Sequence, residues 1–440
     1  MNKKHIKVLH VSYSDSIGGA ARAAFRVHQA IVNNNQNNKL ISSMRVIKKN
    51  TNLGNIHGGY PDSQKFKYQK HCFLNKLSRI LYKSIHRPTY TFATSWPSTG
   101  LGLELNKAYK NKKLDLINLH WLGNNCLSVK EIGKLHMPVV WRIADEWAYR
   151  GCEHYAEDIL ESNKNVLDVN YINGYKNGKR FFDLDKLNFN LKKKYWGNNI
   201  SIVAPSNWIA NNARKSFLFK ESLIKVIPTP IDPDKWCPID MSKARKLLNL
   251  PINQKLILFV AINATKDSRK GFDIAIRSLK IFLDNYKSKF NVSLVVIGQK
   301  NLKNFNLNIP IFSPGFVKDD SILKLYYSAC DLFLLPSKQD NLPGTGLEAQ
   351  ACGLPVVGFD IGGISDILQN NITGALAKPF SQNSLSEKMF WVLENELRYK
   401  QIRQQSRLRA ISLWDPKKIS AMYYDFYHDA IDRFKILNKL

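Results

Sequence analysis

The sequence predicts an α/β protein with two doubly wound domains, each built on a parallel sheet. Short apolar runs rich in β-branched residues alternate with helical patterns through most of the chain. Runs that are apolar throughout fit strands covered on both faces, as in a parallel sheet. The alternation restarts once, near residue 225. The length of 440 residues also exceeds what one hydrophobic core usually serves.

The first half of the chain contains five predicted strands and a clear crossover helix. The strands are VLHVSYS (8–14), KLISSMRVI (39–47), LDLINLHW (114–121), PVVWRIAD (138–145) and ISIVAPS (200–206). The helix is GGAARAAFRVHQAI (18–31). Helices of this kind connect consecutive parallel strands, so this half predicts a Rossmann-like domain over residues 1–225.

The second half repeats the pattern after a proline-rich segment. IKVIPTPIDPDKWCP carries four prolines and predicts a hinge. The strands that follow are KLILFVAIN (255–263), VSLVVIG (292–298), DLFLLPS (331–337) and PVVGFD (355–360), with the helix GFDIAIRSLKIFL (271–283) between the first two. We therefore predict a second Rossmann-like domain over residues 226–415. Residues 416–440 have helical spacing and are expected to pack back on the first domain.

The charge of the chain limits its partners. There are 65 Lys and Arg against 35 Asp and Glu, a net charge of +30. This favours nucleic acid, an acidic membrane surface or a phosphorylated substrate. The basic residues are spread along the chain, and no helix-turn-helix, zinc-finger or RRM signature is present, which argues against nucleic acid. A DNA-binding or RNA-binding protein remains the more remote alternative.

Two features bear on localisation. The six cysteines form no CxxC pair, and no apolar run approaches the length of a membrane span, so we expect a cytoplasmic protein. Residues 63–103 contain five lysines, two arginines and no acidic residue. Within them Phe73, Leu77 and Leu81 recur at helical spacing. Residues 63–92 therefore predict an amphipathic helix on the anionic inner face of the cytoplasmic membrane. The alternative is a helix whose apolar face packs on the core.

The segment PSKQDNLPGTGLEAQACGLPVVGFDIGG (336–363) carries the strongest functional signal. A buried strand ends before a turn with Asp340, and a helix begins near Gly344 and Thr345. Backbone amides at a helix N-terminus attract phosphate. Asp340 and Glu348 flank this helix start, where two carboxylates suit sugar hydroxyls and a ribose diol. The alternative is an ordinary strand-to-helix turn with a capping Asp and a surface Glu.

A second acidic motif, FDLD, holds Asp183 and Asp185. An Asp-x-Asp triplet holds a divalent metal in some sugar-transferring enzymes. Here it lies in a polar stretch, so we expect solvated loop carboxylates and no metal.

Nearly the whole chain resembles the family 4 glycosyltransferases, which are retaining enzymes of the GT-B fold. Residues 336–363 resemble their Glu-x7-Glu signature, and the closest resemblance is to members that assemble bacterial surface polysaccharides. Residues 48–110 and 150–199 lack clear resemblance. The remaining segments occur in the family's order: SIGGAARAAFRVHQAI, DLINLHWLGNNCLS, PVVWRIADEWAY, IVAPSNWIANNARKS, VIPTPIDPDKWCP, DSRKGFDIAI and GLEAQACGLPVVGFDIGGISDIL.

The resemblance implies two Rossmann-like domains facing a central cleft. The first domain is then the acceptor-binding domain and the second binds the nucleotide sugar. It also implies a role for single residues. Asp340 would meet the donor sugar, Glu348 the ribose, and Lys270 the leaving diphosphate. Gly18 and Gly19 would approach the diphosphate, His120 would face the transferred sugar, and the backbone of Gly315 and Phe316 would receive the base.

The implied reaction is transfer of a sugar from a nucleoside diphosphate to a glycan or lipid-linked glycan, with retention and without a metal or other cofactor. Positioning and charge stabilisation then supply the catalysis, because no carboxylate need act as a nucleophile. Four departures from the family bear on donor geometry: Asp340 replaces Glu, Pro343 has no N–H, Ala264 replaces an arginine, and Ala144 replaces the histidine of a His-Asp pair. We expect Arg269 to point away from the site. An epimerase or a sugar-nucleotide-binding homologue on the same fold is the alternative.

Overall fold

The structure is a computed structural model that describes most of the chain. The described residues are 5–35, 39–59, 65–86, 92–123, 126–155, 169–176, 183–197, 199–262, 265, 267–286, 288–300, 302 and 307–438. Contacts within the chain divide it into two compact units. The first domain is Met1–Pro230 with Pro416–Leu440, and the second is Ile231–Asp415. Ala264, one of the departures noted above, lies outside the described residues.

The first domain is built on a seven-stranded parallel sheet. Its strands are β1 (Ile6–Ser14), β2 (Leu40–Lys48), β3 (Ile56–His57), β4 (Leu116–Leu119), β5 (Val139–Arg142), β6 (Ile200–Ala204) and β7 (Ile224–Val226), in the spatial order β3-β2-β1-β4-β5-β6-β7. Its helices are α1 (Gly19–Asn33), α2 (Lys65–His86), α3 (Leu101–Lys110), α4 (Val129–Gly133), α5 (Val169–Ile172), α6 (Leu184–Tyr195) and α7 (Asn207–Lys215). Strands β4, β5 and β6 are buried at every position, as the apolar runs predict.

The second domain is built on a six-stranded parallel sheet. Its strands are β8 (Lys255–Val260), β9 (Val292–Ile297), β10 (Ile311–Gly315), β11 (Leu332–Leu335), β12 (Val356–Phe359) and β13 (Gly374–Ala377), in the order β10-β9-β8-β11-β12-β13. Its helices are α8 (Met241–Leu247), α9 (Phe272–Tyr286), α10 (Asp320–Ala329), α11 (Gly344–Ala351), α12 (Ile364–Ile367), α13 (Gln382–Leu393) and α14 (Glu396–Trp414). The predicted fold class of two Rossmann-like domains is confirmed, each domain having a parallel sheet.

The chain returns to the first domain through its last helix, α15 (Pro416–Leu437). Tyr423 and Phe426 of this helix are buried in a cluster with Val8 and Val140 of the first sheet. The side-chain amide of Asn118 donates a hydrogen bond of 2.7 Å to the hydroxyl of Tyr427. Burial of this apolar face holds the helix on the first sheet.

The division between the domains falls after Pro230 and not at residue 225. The reason is strand β7, which pairs with β6 in the register Ile202↔Ile224 and so belongs to the first sheet. The prolines of the hinge follow this last strand.

Each sheet has one point where the strand order reverses. In the first sheet β1 lies between β2 and β4, and in the second sheet β8 lies between β9 and β11. Open α/β sheets bind ligands outside the carboxyl ends of the strands at such a point. The segments after β1, β4, β8 and β11 are therefore where sites are expected. The predicted site residues lie in them, apart from those of α11 and the pair Gly315 and Phe316 at the end of β10.

Candidate active site

Lys270 and Asp340 form the centre of the candidate site in the second domain. Lys270 ends a 3₁₀ turn, Ser268–Lys270, that follows β8, and Asp340 follows β11. The strands β8 and β11 are neighbours, so their carboxyl ends bring the two residues together. Lys270 Nζ lies 2.5 Å from Asp340 Oδ2. The structure thus joins two residues that are far apart in sequence and that were predicted separately.

The carboxylate of Asp340 is held in its charged form. Burial alone raises the pKa of Asp340, but Lys270 and then Arg269 outweigh it, and the pKa lies below its usual value. The amide of Asn341 also donates a hydrogen bond of 3.1 Å to Oδ1. An ionised acceptor with two cations beside it suits recognition of a polyol next to an anion.

The expectation that Arg269 points away from the site is wrong. Its guanidinium NH1 lies 3.7 Å from Asp340 Oδ2 and donates a hydrogen bond of 3.2 Å to the carbonyl of Gln339. The 3₁₀ turn explains this direction. Asp267 caps the turn, and its carboxylate also holds Arg269 NH2 at 3.0 Å. Two adjacent basic residues therefore face one carboxylate.

Helix α11 begins beside this cluster. Pro343 is its N-cap, and Gly344 and Thr345 are its first residues. The amides of Gly346 and Leu347 already donate to the carbonyl of Pro343. The amides of Gly344 and Thr345 precede that bonded turn, in the part of a helix where N–H groups lack helical partners. This helix start is the predicted phosphate position.

Gly346 has a packing role that the sequence did not reveal. A Cβ at this position would lie 2.9 Å from Ile367 Cδ1, so glycine lets α11 approach α12 closely.

Glu348 lies one turn into α11 and is buried. The hydroxyl of Tyr327, on α10, donates a hydrogen bond of 2.8 Å to Glu348 Oε2. The bond fixes the orientation of the carboxylate. The sequence analysis did not predict a role for Tyr327, because the sequence shows it only as part of the apolar run before β11. The reading of Glu348 as a surface residue is wrong.

Gly315 and Phe316 lie at the end of β10. Gly315 has φ of 85° and accepts a hydrogen bond of 2.8 Å from the amide of Gly298. Phe316 follows it and is 63% exposed. A large exposed aromatic ring at the carboxyl edge of a parallel sheet is a suitable surface for a planar base. The structure gives no contact between these two residues and the Lys270–Asp340 pair.

The remaining predicted residues lie in the first domain. Gly18 is the N-cap of α1, with φ of 88°, and Gly19 begins the helix. Among the described residues, no atom lies within 4 Å of a Cβ built at either position. Positive φ at Gly18 explains the glycine there, because other residues are strained in that region.

His120 follows β4 and is buried beside another histidine. Its Nε2 lies 2.8 Å from His10 Nδ1, and the two rings stack with centroids 5.1 Å apart. Burial, with smaller effects of Arg142 and His28, holds the pKa of His120 well below its usual value, so the ring is neutral. The sequence placed His120 at the strand end but did not reveal His10 as its partner.

Asp183 and Asp185 act within the fold, and the expectation of solvated loop carboxylates is wrong. Asp183 caps α6 by accepting a hydrogen bond from the amide of Lys186. Asp185 is buried and accepts from the amide of Cys152 at 2.6 Å and from the hydroxyl of Tyr171. Over the described ranges, no group of three or more His, Cys, Asp and Glu could hold a metal ion.

Helix α2 exposes its apolar side chains. Phe73 is 66%, Leu77 55% and Leu81 45% exposed, so the alternative of an apolar face packed on the core is wrong. The helix is held by its other side, where Tyr82 is buried and stacks on Phe92. Residues 63–64 and 87–91 of the predicted segment lie outside the described residues. In the part of the chain that the structure describes, no helix is both long and apolar enough to cross a membrane.

Comparison with known proteins bears most directly on the second domain. Residues 240–409 match the family Glycosyl transferases group 1. The matched segment includes Lys270, Asp340 and Glu348 and is less than half of the chain. The chain therefore carries a glycosyl transferases group 1 domain.

Two curated relatives match over similar lengths. The D-inositol 3-phosphate glycosyltransferase of Acidothermus cellulolyticus is 29% identical over 168 residues, covering 35% of this chain and 36% of the relative. The N,N'-diacetylbacillosaminyl-diphospho-undecaprenol alpha-1,3-N-acetylgalactosaminyltransferase of Campylobacter jejuni is 30% identical over 185 residues, covering 40% of this chain and 47% of the relative. The chain thus spans about half the length of these relatives or less.

Solved structures resemble the whole chain in fold. The crystal structure of Anabaena HepE in complex with UDP-glucose matches with a TM-score of 0.63 and 15% identity, covering 97% of this chain and 100% of that one. At this identity the likeness concerns the fold alone.

Proposed function

We propose that the protein is a retaining glycosyltransferase that moves a sugar from a nucleoside diphosphate to a glycan or lipid-linked glycan in surface polysaccharide biosynthesis. The observation that carries the proposal is the Lys270–Asp340 pair, 2.5 Å apart at the switch point of the second sheet. It lies within the segment that matches Glycosyl transferases group 1. The names of the two curated relatives, both glycosyltransferases, support the activity.

The second domain would bind the donor. The amides at the start of α11 would take the diphosphate, where the helix dipole favours negative charge. Glu348, oriented by Tyr327, would accept hydrogen bonds from the ribose diol. Asp340 would accept hydrogen bonds from the sugar. The exposed ring of Phe316 would lie against the base. The complex of Anabaena HepE with UDP-glucose supports a nucleotide sugar as the class of donor.

The chemistry would rest on charge stabilisation. The acceptor oxygen bonds to the anomeric carbon on the face from which the diphosphate leaves, and the bond from that carbon to the phosphate oxygen breaks. The leaving diphosphate takes the proton of the acceptor hydroxyl. Lys270 and the first amides of α11 stabilise the charge that develops on the diphosphate. No metal is needed for this scheme. The roles of His120, Gly18 and Gly19 stay predictions of the sequence.

Helix α2 would place the protein on the cytoplasmic membrane. Five exposed apolar side chains fall on one stripe at 100° per residue, and they are Phe73, Leu74, Leu77, Ile80 and Leu81. Exposed basic residues flank the stripe at 76, 79 and 83. An apolar stripe with basic flanks lies in the interface of an anionic leaflet. The undecaprenol-linked substrate in the name of the Campylobacter relative supports a lipid-linked acceptor.

The first test is a thermal-shift screen in EDTA against UDP, GDP, ADP, dTDP and their common sugar conjugates. A ligand at about 100 times its dissociation constant adds roughly 2.7 kcal/mol of stability, a rise of several degrees. We expect a rise with one nucleotide that disappears in Glu348→Ala. Product analysis with the responding nucleotide sugar then separates transfer from epimerisation. A folded sample that responds to no nucleotide would contradict the donor site.

A further inference from the structure

A small cavity in the first domain lies where β4 and β5 end. Its volume is about 10 Å³, enough for roughly one water-sized group. The polar residues that line it are His120, Asp145 and His154, and the indoles of Trp121 and Trp147 form apolar walls. We call this cavity the notch. It lies beside the switch point of the first sheet, where ligands are expected.

Asp145 orients the ring of His154 and sets its tautomer. His154 Nδ1 lies 2.6 Å from Asp145 Oδ2. The same carboxylate accepts hydrogen bonds of 3.1 Å from Trp121 Nε1 and from the amide of Trp147, which have only protons to give. Because Asp145 acts as the acceptor, His154 Nδ1 carries a proton. In the neutral ring, Nε2 is then an acceptor.

His120, which lines the same notch, has an unsatisfied nitrogen. Its Nδ1 is buried, and within the described part of the chain it has no hydrogen-bond partner. A buried polar atom without a partner is costly, and such atoms in native proteins call for an explanation. When His10 Nδ1 donates to His120 Nε2, His120 Nδ1 carries a proton and is a donor. The residues that line the notch then include one donor and one acceptor, and together they are the complement of a hydroxyl group.

The walls of the notch are held in place. A Cβ at Gly123 would lie 2.1 Å from Trp121 Cζ2, so only glycine lets the indole lie against the backbone there. Lys192 Nζ donates to the carbonyls of Trp147, Arg150 and Gly151 and lies 3.8 Å from the centre of the Trp147 ring. These contacts fix the loop that carries Asp145 and Trp147, so the site is organised before a ligand arrives.

We infer that the notch binds one hydroxyl group of a sugar substrate, with His154 Nε2 accepting its hydrogen bond and Trp121 contacting the sugar ring. The volume is that of about one water-sized group, which matches one hydroxyl. Aromatic walls with a few placed polar groups are the ordinary composition of a small-molecule site. The inference rests on the proposed function for its choice of a sugar. His154 is in this respect a specificity-determining residue outside the donor-binding cluster.

The test compares the full chain with His154→Gln and His154→Phe by titration calorimetry and by NMR of the histidine ring nuclei. The phenylalanine keeps the ring that stacks on Trp147 and loses the acceptor. The matched control is His136→Gln, since His136 is exposed. Two sugar sources are probed. UDP-glucose is compared with UDP for a donor hydroxyl, and a panel of methyl glycosides is used for an acceptor hydroxyl.

We expect both His154 variants to weaken binding of one sugar probe about tenfold while binding of UDP stays unchanged. Weaker binding of UDP-glucose alone places a hydroxyl of the donor in the notch. Weaker binding of a methyl glycoside alone places a hydroxyl of the acceptor there. The inference is overturned if the variants bind UDP-glucose and the methyl glycosides as well as the wild type does, or if the wild type binds none of these probes. A structural water is then the occupant of the notch. Failure of UDP to bind while a methyl glycoside binds rejects the proposed donor site and keeps the notch.

Discussion

Lys270 Nζ lies 2.5 Å from Asp340 Oδ2, so each charge is opposed by the other. A diphosphate that binds Lys270 must compete with this carboxylate. In the proposed donor site the pair would therefore act in opposite ways on two parts of a nucleotide sugar: Lys270 would attract the diphosphate, while Asp340 would favour the sugar and oppose the anion.

The first prediction follows from that opposition. Asp340→Asn should bind the free nucleoside diphosphate several-fold more tightly, because Lys270 and Arg269 keep their full charge for the phosphates. Transfer should nevertheless fall about tenfold to 100-fold, the loss of one hydrogen bond between a sugar hydroxyl and a charged acceptor. Lys270→Met should weaken both binding and transfer.

Calorimetry with UDP and a transfer assay measure the two effects. Arg277→Met is the control, because Arg277 forms an exposed ion pair of 2.7 Å with Asp273 on the same domain. If Asp340→Asn weakens the binding of UDP as much as Lys270→Met does, Asp340 does not oppose the diphosphate.

The second prediction concerns Tyr327. Its hydroxyl donates a hydrogen bond of 2.8 Å to Glu348 Oε2, so Tyr327→Phe should leave this carboxylate, which we propose binds the ribose, less well oriented. We expect binding of UDP to weaken about fivefold to tenfold, the loss of roughly one hydrogen bond. Binding of inorganic pyrophosphate, which has no ribose, should stay unchanged. Equal losses for UDP and pyrophosphate would show that the tyrosine acts through the helix start and not through Glu348.

The third prediction concerns the exposed stripe of α2. Phe73→Ser with Leu77→Ser should reduce binding to vesicles containing phosphatidylglycerol by more than tenfold, because burying one large apolar side chain contributes about 1.5–3 kcal/mol. Wild-type binding should weaken with added salt, since the basic flank contributes about 1 kcal/mol per residue. Sedimentation with the vesicles measures both. Leu397→Ser is the control, because Leu397 is equally exposed on another helix. Equal binding by the double variant and the control would reject membrane contact through α2.

The fourth prediction is a loss of stability in acid. Burial lowers the pKa of His28 from 6.5 to about 4, and the pKa values of His10 and His120 also lie well below the usual value. Between the folded and unfolded pKa values the unfolded chain binds more protons. The free energy of unfolding is therefore greatest above about pH 6.5 and falls as the pH is lowered, for His28 until about pH 4.

Urea unfolding at several pH values between 4 and 7.5 measures this slope. Each such histidine contributes up to about 1.4 kcal/mol per pH unit. His28→Gln should remove one contribution, and His136→Gln, at an exposed position, should remove none. Identical slopes for wild type and His28→Gln would show that His28 takes up its proton without unfolding.

The central strands were predictable and the edge strands were not. The predicted central strands are apolar runs because both faces are covered, and they are β1, β4, β5, β6, β8, β9, β11 and β12. Strand β2 was also predicted. The missed strands are β3, β7, β10 and β13. They form the edges of the two sheets, where β7 and β10 are only partly buried.

The local settings of single candidate residues were predictable, as with Asp340 in its turn after a strand and Gly344 at a helix start. Their partners were not predictable. Arg269 faces Asp340 because a capped turn directs it there, and Tyr327 reaches Glu348 from another helix. Asp145 and His154 meet across an irregular segment of the chain. This segment has no regular hydrophobic pattern, so their contact could not be predicted from the sequence.

The sequence by itself determined the two parallel-sheet domains, the hinge between them and the segments that carry acidic and glycine residues, because hydrophobic period and turn residues are local properties of the chain. Only the tertiary structure decided which charges meet. Strand order places the end of β8 beside the end of β11, and so sets Lys270 against Asp340. The tertiary structure also decided that the apolar stripe of α2 faces outward, because Tyr82 on the opposite side is the residue that is buried. Pairings across a sheet and the choice of the buried face depend on neighbours distant in sequence, and no local pattern specifies them.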